Sequence, residues 1–211
     1  TELILALWVA EGPLTFQGKT WHVTDAICNP KPLQQPHPPL WFGEAAPGGL
    51  AACARFGQGW NTTPVPLPEL ERRIGLLADA CNVIGRDMNE IALTLETQVL
   101  IAPTTGALRE KLRSLLDLAG QQNHLPPEIA PYVKDYANDP ATLAFVNGET
   151  DALPDTMAAD WIVGTPDQVR SRVQAYANAG ISHFMLWFMD APDEAGMRLF
   201  AEQVASGFRA S

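Results

Sequence analysis

The sequence predicts an α/β fold built on a parallel sheet, and three observations carry that expectation. Short apolar runs bounded by Pro and Gly recur along the chain: "LWF" at 40–42, "GWNTT" at 59–63, "IALTLETQVLIA" at 91–102 and "SHFMLWFM" at 182–189. Between them stand segments with apolar residues at helical spacing, long enough to cross back over a sheet. One of these, "GTPDQVRSRVQAYANAG", is signed as a helix at both ends. Thr165 sits at the N-cap, Pro166 at the first helical position, Gln168 completes a capping box, and Gly180 follows the last turn. The order β-α-β-α-β-excursion-α-β-α calls for parallel strands joined by crossover helices.

Taken from the amino end, Leu3–Ala10 reads as a short buried helix stopped by Gly12-Pro13. "LTFQGKTWHV" alternates β-formers around Gln17-Gly18 and predicts a small hairpin. Residues 29–39, "NPKPLQQPHPP", are loop, because each proline removes a backbone donor and restricts its predecessor. Leu40-Trp41-Phe42 follows as a short buried strand, then a helix over 48–56 ended by Gly57, then the strand at 59–63. Leu67–Ile84 is an amphipathic helix with Leu70, Ile74, Leu77 and Cys81 at helical spacing and Gly85 as its C-cap. Residues 91–102 form the longest strand and 105–120 a helix. The stretch 121–159 mixes Pro, Asn, Asp and short apolar groups and reads as an excursion with broken helices before the last βα unit. A strand at 182–189 and a helix over Asp193–Phe208 close the chain. Leu40–Gly43, Gly59–Thr62, Ile91–Ala102 and His183–Phe188 are expected to lie parallel in that spatial order. No long linker or repeat interrupts 1–211, so a single architectural unit is expected.

Length and composition fit this picture: 211 residues suffice for a sizeable core, and 46% hydrophobic with 18% charged is a globular balance. Lys and Arg number 14 against 24 Asp and Glu, a net charge of −10 without a basic cluster. That argues against nucleic acid and anionic membranes as partners. Cys28, Cys53 and Cys81 are odd in number and far apart, so a reduced, cytoplasmic setting is expected rather than a disulfide framework. No apolar run reaches the length of a membrane span, and the amino end lacks the basic region and cleavage pattern of a signal peptide. The chain opens without Met inside an apolar helical segment, as expected of a piece of something longer. No metal-ligand cluster, P-loop or Ser-His-Asp spacing is present.

The runs "PLQQPHPPLWFGEAAPGG", "RFGQGWNTTP" and "IVGTPDQVRSRVQAYANAGISHFMLWF", in that order, resemble the bacterial-luciferase-like superfamily. Its members are TIM-barrel flavin-dependent monooxygenases and their deazaflavin (coenzyme F420) dependent relatives. "LWVAEGPLTFQGKTWHV" is similar to the family's mid-barrel region, and the resemblance runs over essentially the whole sequence. It implies that the chain holds strands five to eight of a (β/α)8 barrel, which needs about 250 residues when whole. It also implies an oxidoreductase with a small-molecule substrate and FMN or coenzyme F420 as cofactor. The first half, which in this family supplies much of the cofactor cradle and often the catalytic histidine, is expected to lie outside this sequence. Activity of the chain alone is therefore in question, and either self-association or a companion amino-terminal half is expected. A non-catalytic half-barrel that self-associates or only binds cofactor is the alternative, and an unrelated α/β fragment a third reading.

In a barrel, ligands sit at the carboxyl ends of the strands. After the first strand that place is Gly43-Glu44-Ala45-Ala46, whose small residues bare backbone N–H groups beside a helix N-terminus. The resemblance implies a flavin or deazaflavin phosphate there. The family often carries Gly-Ser-Ser at this turn, so backbone donors must serve here, and Glu44 would repel a phosphate that it faced. A tight βα turn with nothing bound explains the same residues. Trp60 and Asn61 end the next strand, where Trp can wall a ring and Asn fix a polar edge, although Trp is equally a core residue. Trp187 and Phe188 end the last strand as candidate substrate contacts, with the same alternative. Thr165 begins its helix on the ligand side, and capping alone accounts for it. Thr94, Glu96 and Gln98 share one face of the long strand and either reach the site or meet solvent. His37 and His183 have no acid or nucleophile nearby in sequence, and His22 and His124 fall in the hairpin and the excursion, so no catalytic base is assigned.

Overall fold

Glu2–Val9 forms the first helix (α1), and Leu14–Gln17 (β1) with His22–Ala26 (β2) the expected antiparallel hairpin, with Phe16 opposite Val23. The structure is a computed structural model that describes residues 1–43, 45–63, 65–120 and 130–208. Glu44, His124 and the start of the excursion therefore lie outside the described residues. The chain divides into two units, Thr1–Asn61 with Gly75–Ala92, and Thr62–Ile74 with Leu93–Ser211.

In the first unit, Trp41–Phe42 (β3) pairs in parallel with Gly59–Thr62 (β4), Trp41 beside Gly59 and Phe42 beside Trp60. Pro47–Phe56 (α2) is the crossover between them. Its C-terminal carbonyls are held by one guanidinium. Arg86 donates from Nη1 to the Ala54 and Cys53 carbonyls at 2.7 and 3.3 Å, and from Nη2 to the Gly57 carbonyl at 2.7 Å. This satisfies acceptors that a helix end leaves open and sets a cation against its negative pole. Leu67–Ile84 (α3) ends where the spacing predicts: Gly85 takes φ +71°, and the Arg86 N–H returns to the Cys81 carbonyl at 3.0 Å, the closing bond of a Schellman turn. Leu50, Cys53, Ala54, Trp60, Leu77 and Cys81 form the buried interior. Burial pushes the Cys53 thiol up to about 11, with Cys81 adding to the shift and Arg86 opposing it.

In the second unit, Ala92–Ile101 (β5) is the central strand. Thr105–Gly120 (α4), Ala130–Ala137 (α5), Pro140–Asn147 (α6) and Asp155–Asp160 (α7) follow, the last three giving the excursion the short helices its broken pattern suggests. Ile162–Gly164 (β6) pairs in parallel with one side of β5, Pro166–Asn178 (α8) crosses back, and His183–Phe188 (β7) pairs in parallel with the other side. Ala195–Gln203 (α9) and a 3-10 turn at Ala205–Phe208 complete the described chain. Leu100, Leu108, Leu112, Phe145, Met157, Trp161, Val163 and Met189 share one buried cluster, with Tyr136 edge-on to Trp161 at 5.1 Å.

The fold is α/β with parallel pairing from β3 onward, as the alternation predicts. The strand β6 is an addition to the four expected. It has three residues, all buried, so no alternation announces it, and it exists through its ladder with β5.

Candidate functional site

The register of β3 and β4 places Gly43 next to Asn61 at the carboxyl end of both strands. Among the described residues a Cβ on Gly43 would find only the Asn61 carbonyl, at 4.0 Å, which leaves room beside this backbone for a bound group. Ala46 is the N-cap of α2 and supplies no side-chain cap, Pro47 has no N–H, and the space next to Gly48 is open to at least 4 Å. The first turn of α2 therefore offers backbone N–H groups and a positive helix pole, with no competing side-chain acceptor from Ala45 or Ala46. These features suit an oxyanion such as a phosphate. Trp60 is fully buried, at 0% exposure, with the burial of a core residue, while Asn61 is half-buried.

In the second unit the carboxyl ends of β5, β6 and β7 again point one way. Thr165 stands at the N-cap of α8, where its N–H and hydroxyl both donate to Gln168 Oε1 at 2.8 and 3.1 Å. That is the Gln half of the capping box. Thr165 follows Gly164, the partner of Ile101, whereas Trp187 partners Gln98 on the opposite side of β5. The two are thus about 13 Å apart along the strand direction, with a strand between them. Trp187 and Phe188 also part company. Phe188 meets Phe200 of α9 edge-on at 5.7 Å, and Phe184 meets Tyr176 of α8 at 6.4 Å, so these residues face the helices. Trp187 lies on the other face, 49% exposed, in one row with His183 and Met185, and their register partners are Gln98, Thr94 and Glu96.

Two features escaped sequence reasoning. Gln98 Oε1 is buried and has no hydrogen-bond partner among the described residues. Asp190, just beyond β7, is a buried carboxylate whose Oδ2 accepts from the Lys111 ammonium and from the Gly196 N–H at 3.1 Å, while its Oδ1 is buried without a partner among the described residues. Lys111 is 79 residues away in sequence, so no local signal could have joined the two. Among the histidines, His37 Nδ1 lies 2.8 Å from the Pro38 carbonyl and its ring 5.9 Å from that of Trp8, while His183 is exposed at the start of β7.

Comparison with known proteins gives this arrangement a context. The sequence profile of luciferase-like monooxygenases matches residues 1–183. An F420-dependent glucose-6-phosphate dehydrogenase of Kineococcus radiotolerans is 28% identical over 189 residues, 87% of this chain and 51% of that protein. The oxygenase component of a flavin-dependent trigonelline monooxygenase of Acinetobacter baylyi is 23% identical, over 86% of this chain and 50% of that protein. A solved F420-dependent secondary alcohol dehydrogenase, in complex with an F420-acetone adduct, superposes with a TM-score of 0.69 at 19% identity, covering 97% of this chain and 59% of that one. The chain spans about half the length of the curated relatives it matches.

Proposed function

The chain belongs to the luciferase-like monooxygenase family, and from that premise we propose that it is the second half, strands five to eight, of a flavin- or F420-dependent (β/α)8 oxidoreductase acting on a small molecule. The observation that carries this reading is the closeness of Gly43 to Asn61, just past the paired residues of β3 and β4 and ahead of the first turn of α2, which suits a phosphate at the carboxyl end of parallel strands. Gly43 and the first turn of α2 would supply N–H groups to the phosphate, with Ala45, Ala46 and Asn61 lining the turn. When bound, the cofactor supplies the redox chemistry, either hydride transfer or oxygen activation. The chain's own part is to bind and orient. Residues 1–211 act in this proposal as one portion of a barrel in a reducing, cytoplasmic setting, completed by a second copy or by a companion amino-terminal half.

Titration of FMN and of coenzyme F420 against the protein, followed by cofactor fluorescence, tests the turn. Ala45→Asp adds a negative charge and bulk where the phosphate would lie. It is expected to weaken binding by at least about tenfold, equivalent to about 1.4 kcal/mol. Equal affinity of the variant and the parent would remove this turn from the site. The second reading, a half-barrel that binds cofactor without turnover, predicts the same titration but no oxidation of any alcohol or aldehyde in the presence of F420.

A further inference from the structure

Three alternate rungs of the β5–β7 ladder set their side chains on the face away from α8 and α9: Thr94 with His183, Glu96 with Met185, Gln98 with Trp187. All but the first of these thus join a hydrogen-bonding group on β5 to a soft or flat apolar one on β7. A face meant for a closed protein core would be apolar on both strands, because an amide or carboxylate buried without partners costs stability. One meant for water would not hold Met185 and Trp187 at 39% and 49% exposure. The mixture is that of a small-molecule site, apolar planes with a few polar groups to fix orientation.

The rung nearest the carboxyl end of β7 is the most telling. Gln98 Oε1 is buried and lacks a donor among the described residues, next to an indole that is half open. An acceptor left in that state lowers stability, and an apolar residue of similar shape would remove the penalty. A polar residue kept at a stability cost belongs to function more often than to folding. We propose that Gln98 and Trp187 form a recognition rung for a planar heteroaromatic ring bearing an N–H donor on its edge, the ring stacking on the indole and its N–H donating to Oε1. The amide reaches it by turning about the broad terminal torsion of the glutamine side chain. This assigns Gln98 as a specificity-determining residue, and it rests on the reading that the chain takes a flavin or deazaflavin.

Lumiflavin is the probe, since it carries the ring and its N–H without a phosphate and so bypasses the turn at Gly43. Gln98→Leu is expected to weaken lumiflavin and FMN by the same factor, about fivefold for one lost hydrogen bond, while raising the melting temperature of the ligand-free protein. Trp187→Phe should keep part of the affinity that Trp187→Ala loses. A lower melting temperature for Gln98→Leu would make the amide structural and overturn the assignment. If FMN binds and Gln98→Leu leaves lumiflavin affinity unchanged, the assignment falls while the cofactor reading stands. If the parent binds neither FMN nor F420, both fall together. A blue shift of Trp187 emission that follows protein concentration without ligand, absent in Trp187→Phe, would give the face to a second copy and also overturn the proposal.

Discussion

Asp190 shows how much one residue can hold in place. Its side chain is 8% exposed and its charge is met by Lys111, whose side chain keeps 22%. Removing one partner of a buried pair leaves the other charge without compensation, which is far more damaging than replacing both. Lys111→Met is therefore expected to destabilise the protein by about 2–4 kcal/mol, below the cost for a wholly buried pair because the ammonium is partly solvated. A lowered urea midpoint with an unchanged slope would report it. The double substitution Lys111→Met with Asp190→Leu should recover much of the loss. Gly196 belongs to the same cluster for a steric reason: a Cβ there would lie 2.5 Å from Asp190 Oδ2. Gly196→Ala should accordingly lower the melting temperature even though Ala is the better helix former. An unchanged or raised melting temperature would contradict that close approach.

Helix ends carry the next layer. Arg86 closes α2 through three carbonyls, so Arg86→Ala is expected to cost about 2 kcal/mol. Arg86→Lys should restore only part of it, since an ammonium lacks the planar fork, and thermal denaturation of the two variants separates these outcomes. Asp139 caps the other described terminus of interest. It accepts from the Thr142 hydroxyl at 2.7 Å and the Thr142 N–H at 3.1 Å at the start of α6, and the hydrogen bond from the Thr142 side chain holds its carboxyl below the usual carboxylate value. A carboxyl held down in the native state adds stability above its unfolded pKa of about 4, and this is lost as pH falls through the lower native value. Asp139→Asn should thus flatten the acid limb of stability measured by urea midpoints between neutral and acidic pH. Part of the slope should remain, because hydrogen bonds from Arg72 and Arg73 lower Glu69 to about 2. Legibility varies with the same physics. Leu67–Ile84 was readable to the residue, because four apolar positions at helical spacing and a glycine at positive φ are local facts. The β6 strand was not, because three buried residues carry no period. The shared face of Thr94, Glu96 and Gln98 was visible from alternation alone, but its rung partners on β7 depend on a register that only the folded ladder sets. Trp187 and Phe188 were grouped because they are neighbours in sequence, whereas adjacent residues of a strand point to opposite faces.

For the whole molecule the open question is what covers its strands. Among the described residues β3 has β4 and β7 has β5 as a strand neighbour, so each leaves one backbone edge without a strand beside it. Such an edge is a template for another strand, and parallel sheets are found almost only with both faces covered. Trp41 of the edge strand β3 is 51% exposed. Covering apolar surface is worth roughly 25 cal/mol per Å², so burying a large side chain at an open edge adds to the drive that the free edges supply. A chain about half the length of its relatives would meet both demands by pairing, with itself or with a polypeptide that supplies the remaining strands. The expected outcome of sedimentation equilibrium is a mass that rises with concentration, or aggregation that a companion half relieves. The recognition rung should remain open in either assembly, since edge pairing adds strands beside β7 rather than over its face. A cooperatively folded monomer of 22.9 kDa at every concentration would rule out the half-barrel.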